Sequence, residues 1–286
     1  MSKYIELAGE EALIEGDPND VYVQQIEGFA STLSNLRGLA HRHVTPDETI
    51  IDVGANIGLS TIILARACPG ARVVAFEPSP RNAKFLRANL AANHIANAKV
   101  MEVALSDRPG ELAFHEAAFA ATSHVVSSEH LAQELITTRV PVTNLDDVPI
   151  EDLGTVSLIK IDVEGHEPNV LAGGRSLIQR QSPLLYMEFN AWCLNAFGGH
   201  SPAAFANALW QTFEVFQTDE TGALVPIGTS ALNFLHRNLM ANGCVDDLVL
   251  KLRDGAKIPT LERMVWPGQA NTLLEQLQRR ISSMEG

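Results

Sequence analysis

Three stretches of the chain set acids, amides and an imidazole at close spacing, the first two of them with glycines: Asp52-Val-Gly54-Ala-Asn56-Ile-Gly58, Asp162-Val-Glu164-Gly-His166 and Glu188-Phe-Asn190. In the first, glycine lets the backbone turn sharply and approach a ligand with no Cβ in the way. A dinucleotide fingerprint needs G-x-G-x-x-G so that the backbone closes on a pyrophosphate at a helix N-terminus. Counting from Gly54, its second and third glycine positions hold Asn56 and Leu59, so the pyrophosphate reading fails. The loop suits S-adenosylmethionine, whose ammonium meets acidic groups and whose carboxylate meets backbone N–H donors. Glu77, ending the next apolar run before Pro78, can accept both ribose hydroxyls, as an acid roughly 20 residues on does in dinucleotide folds. Asp52, Gly54, Asn56, Gly58, Glu77, Pro78 and Asp162 are the resulting cofactor-binding candidates.

The second and third stretches bear on proton transfer. Methyl transfer from a sulfonium is an in-line displacement, so alignment supplies much of the acceleration without a covalent enzyme intermediate. A protonated hydroxyl is a poor nucleophile, and a positioned base must take its proton or a metal must lower its pKa. Asp162, Glu164, His166, Glu188 and Asn190 are the catalytic candidates. His166 titrates near neutrality and suits a base, and it equally suits positioning the helix that Glu167-Pro168 begins. Glu188 and Asn190 also read as a substrate hydrogen-bonding pair or a hydrogen-bonded strand end. The primary reading has no metal; a secondary one puts Mg²⁺ on the hard oxygens of Asp162, Glu188 and Asn190.

These residues need a frame. Apolar runs at 49–55, 72–77, 99–105, 156–163, 184–189, 213–218 and 247–252 alternate with helical patterns such as Ile62-Ile63-Leu64 and Phe85-Leu86…Leu90. That alternation predicts an α/β fold, a parallel sheet with helices on both faces, whose ligands lie beyond the carboxyl ends of the strands. Residues 111–116 and 139–143 read as short extra strands, and the polar, aperiodic 117–138 between them as a lid over the acceptor. Phe29, Leu33, Leu36 and Ala40 recur at helical spacing. Leu273, Leu277, Ile281 and Met284 form a stripe that packs on the domain or on a second copy of the chain. The expected division is a helical segment over 1–45, a cofactor-binding domain over 46–254 and a helical tail over 255–286.

The blocks Asp-Val-Gly-Ala-Asn-Ile-Gly (52–58), Phe-Glu-Pro (76–78), Ala-Leu-Ser-Asp (104–107), Asn-Leu-Asp-Asp (144–147) and Lys-Ile-Asp-Val-Glu-Gly-His-Glu (160–167) together resemble the FkbM family of S-adenosylmethionine-dependent methyltransferases. The resemblance spans about residues 20–253 and implies a Rossmann-like class I methyltransferase fold, with an antiparallel hairpin closing one edge. It also implies O-methylation of a sugar, polyketide or related hydroxyl. Adenine is then expected at the end of strand 99–105, near Ala104, Ser106 and Asp107. The alternative from another class is a non-catalytic nucleoside-binding or assembly module that keeps the fold.

Composition limits the partners. A formal charge of −13 and a pI near 5.1 argue against a phosphate-tracking surface, since nucleic-acid binders show a clustered basic face. Cys68, Cys193 and Cys244 lack metal spacing, and the sequence has no run of apolar residues long enough to span a membrane. The expectation is a cytoplasmic enzyme with a small-molecule or glycan acceptor.

Overall fold

The computed structural model describes residues 1–30, 33–115, 124–125, 137–149 and 153–265. Most of the segment expected to form a lid, and the apolar stripe of the tail, lie outside the described residues. The chain opens with an antiparallel hairpin, β1 (Ser2–Leu7) and β2 (Glu10–Glu15). Ile5, Leu7, Ala12 and Ile14 alternate with more exposed residues and bury one face, a period of two that favours strand over the helical segment expected for 1–45. Helices follow only at α1 (Val21–Gln24), α2 (Ile26–Ala30) and α3 (Ser34–His43).

Strands and helices then alternate: β3 (Thr49–Val53), α4 (Leu59–Ala67), β4 (Arg72–Phe76), α5 (Pro80–Ala92) and β5 (Ala98–Met101). The hairpin is tied to α5 by Asn89 and Asn93, whose amide oxygens accept from the backbone of Glu15 and Leu13. Next come β6 (Ala104–Leu105), β7 (Gly110–His115), β8 (His124–Val125) and β9 (Thr137–Thr143), which form a separate sheet in the order β6-β9-β7-β8. The run 99–105, expected as one strand, breaks where the Val103 amide turns back to the Met101 carbonyl at 3.0 Å. This break carries Ala104 and Leu105 out of the main sheet.

The main sheet resumes with β10 (Val156–Ile161), α6 (Glu167–Gly173), α7 (Arg175–Gln181), β11 (Leu184–Asn190), α8 (Ala191–Ala196), α9 (Pro202–Thr212), β12 (Phe213–Thr218), β13 (Leu224–Pro226), α10 (Ala231–Met240), β14 (Val245–Leu252) and α11 (Leu261–Val265). Its order is β13-β12-β14-β11-β10-β3-β4-β5. β11, β10, β3, β4 and β5 run parallel. β14 is antiparallel to both β11 and β12 and lies between them, so the antiparallel edge is not a simple hairpin: β13 and α10 are inserted before β14.

Helices cover both faces. Ile51 and Val53 share a core with Val170, Leu171 and Leu177, while Ile50 packs with Leu36, Leu39 and Leu64 on the other side. Strands buried on both faces read as continuous apolar runs, and β3 is buried at every position. Two charges break that rule: Asp52 in β3 and Lys160 in β10, directly paired in register.

Candidate active site

Beyond the carboxyl end of the parallel strands lies a cavity of about 580 Å³, within the range that takes a small-molecule cofactor. It sits at the point where strand order departs from β3 in both directions, to β4 on one side and β10 on the other, the usual ligand position in open α/β sheets.

Gly54, Asn56, Glu77, Pro78, Ala104 and Asp162 of the cofactor-binding candidates line it; Asp52, Gly58, Ser106 and Asp107 do not. Asp52 is fully buried. Its Oδ2 accepts from the hydroxyls of Ser60 at 2.8 Å and Thr61 at 2.6 Å on α4, and its Oδ1 lies 3.4 Å from Lys160 Nζ. An aspartate at a strand end can face the loop it supports, and this one braces the loop from behind. Gly58 owes its type to packing: at φ 102° a Cβ would press on Leu86. Gly54 is likewise packed, and at φ 77° a Cβ there would collide with the Asp162 carbonyl oxygen. Gly54→Val is therefore expected to separate the loop from the end of β10 and abolish adenosylhomocysteine binding, read by calorimetry. Unchanged affinity in a folded Gly54→Val protein would show that the loop does not form the cofactor site.

Lys160, which sequence reading passed over as a site residue, joins these parts. It is buried, and its Nζ donates to the Gly54 carbonyl at 2.9 Å and lies 3.4 Å from both Asp52 Oδ1 and Asp162 Oδ2. Burial alone would lower its pKa; Asp162 and Asp52 more than offset this and raise it. The signal was present, since a lysine inside Val-Ser-Leu-Ile-Lys-Ile is out of place in a doubly buried strand unless paired.

Glu77 lies at the floor. Its Oε2 accepts from the Asn56 amide at 2.8 Å and its Oε1 from the Ser79 amide at 2.9 Å, leaving each oxygen a lone pair. Burial pushes its carboxyl up to about 7 against the pull of those amides. Asn56, at φ 50°, has a buried Oδ1 with no hydrogen-bond partner among the described residues.

Also along the cavity, Asp162, Glu164 and Glu188 bring carboxylate oxygens within 4.8 Å of one another. Glu164 takes a left-handed φ of 53°, a strained conformation that clusters at functional sites. Its Oε2 accepts from Cys193 Sγ at 2.9 Å. Burial, followed by the charge of Asp162, pushes the Glu164 carboxyl up to about 8. Burial together with Asp162 and Glu164 holds Glu188 well above the usual range, and its Oε2 has no hydrogen-bond partner among the described residues. Asp247, paired in register with Glu188, also lines the cavity; the sequence reading placed it in a strand without assigning it a role. Asn190 reaches the cavity too, but its Oδ1 accepts from the Cys193 amide at 3.1 Å and caps α8. Among the described residues, the acids grouped tightly enough for a cation are Asp162, Glu164 and Glu188, two of which belong to the Asp162, Glu188 and Asn190 set of the secondary metal reading.

Glu167, fully buried, folds the intervening loop by accepting from the amides of Val163 and Gly165 at 3.1 and 3.2 Å, and burial raises it to about 7. Glu77, Glu164 and Glu167 all have folded pKa values above the unfolded glutamate value near 4.3, so the native state binds more protons between those limits. Their stabilising contribution is full below about pH 4.3 and lost as pH rises through about 7 to 8. The cofactor-free protein is expected to melt at a lower temperature at about pH 9 than at about pH 6, by calorimetry at constant ionic strength. An equal or higher Tm at the alkaline pH would contradict these raised values.

His166 is buried at the junction before α6 and makes no side-chain cap to it. Its Nε2 lies 2.9 Å from Ser106 Oγ, and Ser106 Oγ lies 3.0 Å from Asp107 Oδ1. Burial, then the nearby His200, brings the imidazole down to about 3. Ser106 and Asp107, expected at the adenine, do not line the cavity; Ser106 bonds His166, and Asp107 bonds Ser106 and Asn169.

The residues present fit S-adenosylmethionine. Glu77 has free lone pairs for ribose hydroxyls, Asn56 offers an unpartnered acceptor, and the acidic wall suits a sulfonium and an ammonium. Sheet order and cavity position are those expected of a Rossmann-like α/β fold, whose ligands sit beyond the carboxyl ends of the parallel strands. Residues 52–213 match the model of the methyltransferase FkbM domain, and the chain belongs to the FkbM methyltransferase family. It is 28% identical over 183 residues to the 2-O-methyltransferase NoeI of Sinorhizobium fredii, covering 57% of this chain and 73% of that protein. It is 31% identical over 156 residues to the 31-O-demethyl-FK506 methyltransferase FkbM of Streptomyces tacrolimicus, covering 45% and 60%. Among solved structures, the O-methyltransferase TomG of Streptomyces achromogenes, in complex with the cofactor, aligns with a TM-score of 0.44 at 15% identity, over 84% of this chain and 91% of that one. Among the described residues, no helix is long and apolar enough to cross a membrane.

Proposed function

We propose that the chain is an O-methyltransferase that carries a methyl group from S-adenosylmethionine to a hydroxyl of a small molecule or glycan. The observation that carries this reading is the cluster of Asp162, Glu164 and Glu188, whose carboxylate oxygens lie within 4.8 Å of one another on the cavity wall. Crowded carboxylates hold protons more tightly than isolated ones, and a base works best with a pKa near the working pH. Glu164, at about 8, meets that condition. When bound, the cofactor supplies an electrophilic methyl on a sulfonium. Gly54, Asn56, Glu77 and Asp162 would hold it, and Glu164, with Glu188 beside it, would take the acceptor's proton. Trp192, 57% exposed on the cavity wall, offers an aromatic face to an acceptor ring.

The test is adenosylhomocysteine formation with a panel of hydroxylated sugars and polyketides, with the methylated atom located by NMR. Methyl recovered on oxygen supports the reading. Tight adenosylhomocysteine binding with no turnover across the panel favours a non-catalytic module. Loss of turnover in chelator, restored by Mg²⁺, would transfer activation of the hydroxyl from carboxylate to metal.

A further inference from the structure

His166 enters sequence reasoning as a base, yet its hydrogen bonds suggest another task. Ser106 Oγ has a single proton and two close neighbours, Asp107 Oδ1 at 3.0 Å and His166 Nε2 at 2.9 Å. A carboxylate can only accept, so the serine proton goes to Asp107, and Oγ is left to accept from Nε2–H. The opposite arrangement would press a serine lone pair against a carboxylate oxygen. Asp107 is further fixed by Asn169 Nδ2 at 3.3 Å, and Asn169 Oδ1 lies 2.9 Å from His200 Nε2. With the proton on Nε2, Nδ1 of His166 keeps a bare lone pair. That atom is buried without a hydrogen-bond partner among the described residues, and His166 lines the cavity. A buried acceptor without a partner is costly unless a ligand supplies the donor.

The donor follows from the chain path. The Glu77 amide bonds to the Met101 carbonyl at 3.1 Å, which sets Val103, Ala104 and Leu105 beside the ribose-binding acid, and all three line the cavity. A base attached to a ribose on Glu77 therefore lies along this segment, and the next residue, Ser106, is the one bonded to His166. We infer that Asp107, acting through Ser106, is a positioning residue that locks His166 as the Nε2–H imidazole, so that Nδ1 accepts from the exocyclic amino group of the cofactor's adenine. This rests on the reading of the cavity as the S-adenosylmethionine site. It gives Ser106 and Asp107 a part in adenine recognition one step removed from contact, and it leaves the hydroxyl's proton to the carboxylates.

The tautomer is read without ligand, from ¹⁵N chemical shifts of histidine-labelled protein, with His166 assigned by its loss in His166→Asn. The Nε2–H form is expected in the wild type. Asp107→Asn, whose amide can donate to Ser106 Oγ, is expected to reverse the relay and move the proton to Nδ1. Binding is then measured by calorimetry with adenosylhomocysteine and with S-inosylhomocysteine, which carries a carbonyl in place of the amino group. Wild type should prefer the adenine compound by about 10-fold or more, the penalty for an unmatched buried polar group. The preference should shrink to within about 3-fold in His166→Ala and Asp107→Asn, and return in part in His166→Asn, whose amide oxygen replaces Nδ1. A wild-type Nδ1–H tautomer, or undiminished preference in His166→Ala, overturns the inference. If neither compound binds the wild-type protein, the cofactor reading has failed and this adenine role fails with it, whatever tautomer is found.

Discussion

Glu164→Gln is expected to lower turnover by about 10²- to 10⁴-fold, the usual contribution of a positioned base, while leaving adenosylhomocysteine affinity within a few-fold of wild type. The variant keeps an amide oxygen able to accept from Cys193 Sγ, the one side-chain bond Glu164 makes among the described residues, so the strained turn at φ 53° keeps its anchor. What disappears is proton affinity. Glutamine cannot take a proton near neutrality, whereas Glu164 is raised to about 8, first by burial and then by the Asp162 charge. Steady-state kinetics on the acceptor found by the panel separates the roles: removing a base lowers kcat, whereas removing a group that only positions the acceptor mainly raises KM. Turnover at the wild-type level would remove Glu164 from the chemistry. If Asp162→Asn or Glu188→Gln alone shows the large fall in kcat, the proton passes to another member of the same cluster.

What could be read before the fold was known was chiefly what is local. The Asp52–Gly58 loop, the acid at Glu77 and the strand-end group around Asp162 are patterns over a few residues, and alternation of apolar strand and helix carried the rest of the sheet. The N-terminal hairpin was missed because its alternating pattern covers few residues on each strand, Ile5 and Leu7 against Ala12 and Ile14, and a helical period was visible close behind it. The roles of individual side chains were harder, because they depend on which way each one faces. Asp52 looked like a ligand contact from its place at a strand end, but register pairs it with Lys160 and Ala75, and the hydroxyls of Ser60 and Thr61 take it up from below the loop. Ser106 bonds His166 and Asp107 bonds Ser106 because the chain leaves the main sheet at Val103, a break invisible in an unbroken apolar run. Asp247 needed the antiparallel pairing of β14 with β11, between strands nearly sixty residues apart.

Lys160→Met should produce the largest loss of stability among single changes at the site. The lysine is the only Lys or Arg among the described residues lining the cavity, and two carboxylates and the backbone carbonyls of Val53 and Gly54 converge on it. Methionine has nearly the same length and no charge, so the cavity stays filled while Asp52, fully buried, loses its counter-charge. Breaking a buried pair by removing one partner typically costs about 3–5 kcal/mol, because the remaining charge is left uncompensated. For a domain of this size that corresponds to a fall in Tm of roughly 6–20 °C. Cofactor affinity should fall as well, because Lys160 Nζ holds the Gly54 carbonyl at 2.9 Å and with it the turn on which the binding loop is built. A second substitution separates charge from packing: Asp52→Asn removes the orphaned carboxylate but can still bond Ser60 and Thr61. The Lys160→Met/Asp52→Asn double variant is therefore expected to be more stable than Lys160→Met alone, a non-additivity of the kind contacting residues show. Chemical denaturation of the four proteins gives the coupling directly. If Lys160→Met unfolds within about 1 kcal/mol of wild type and binds adenosylhomocysteine as tightly, the buried lysine does not organise the loop.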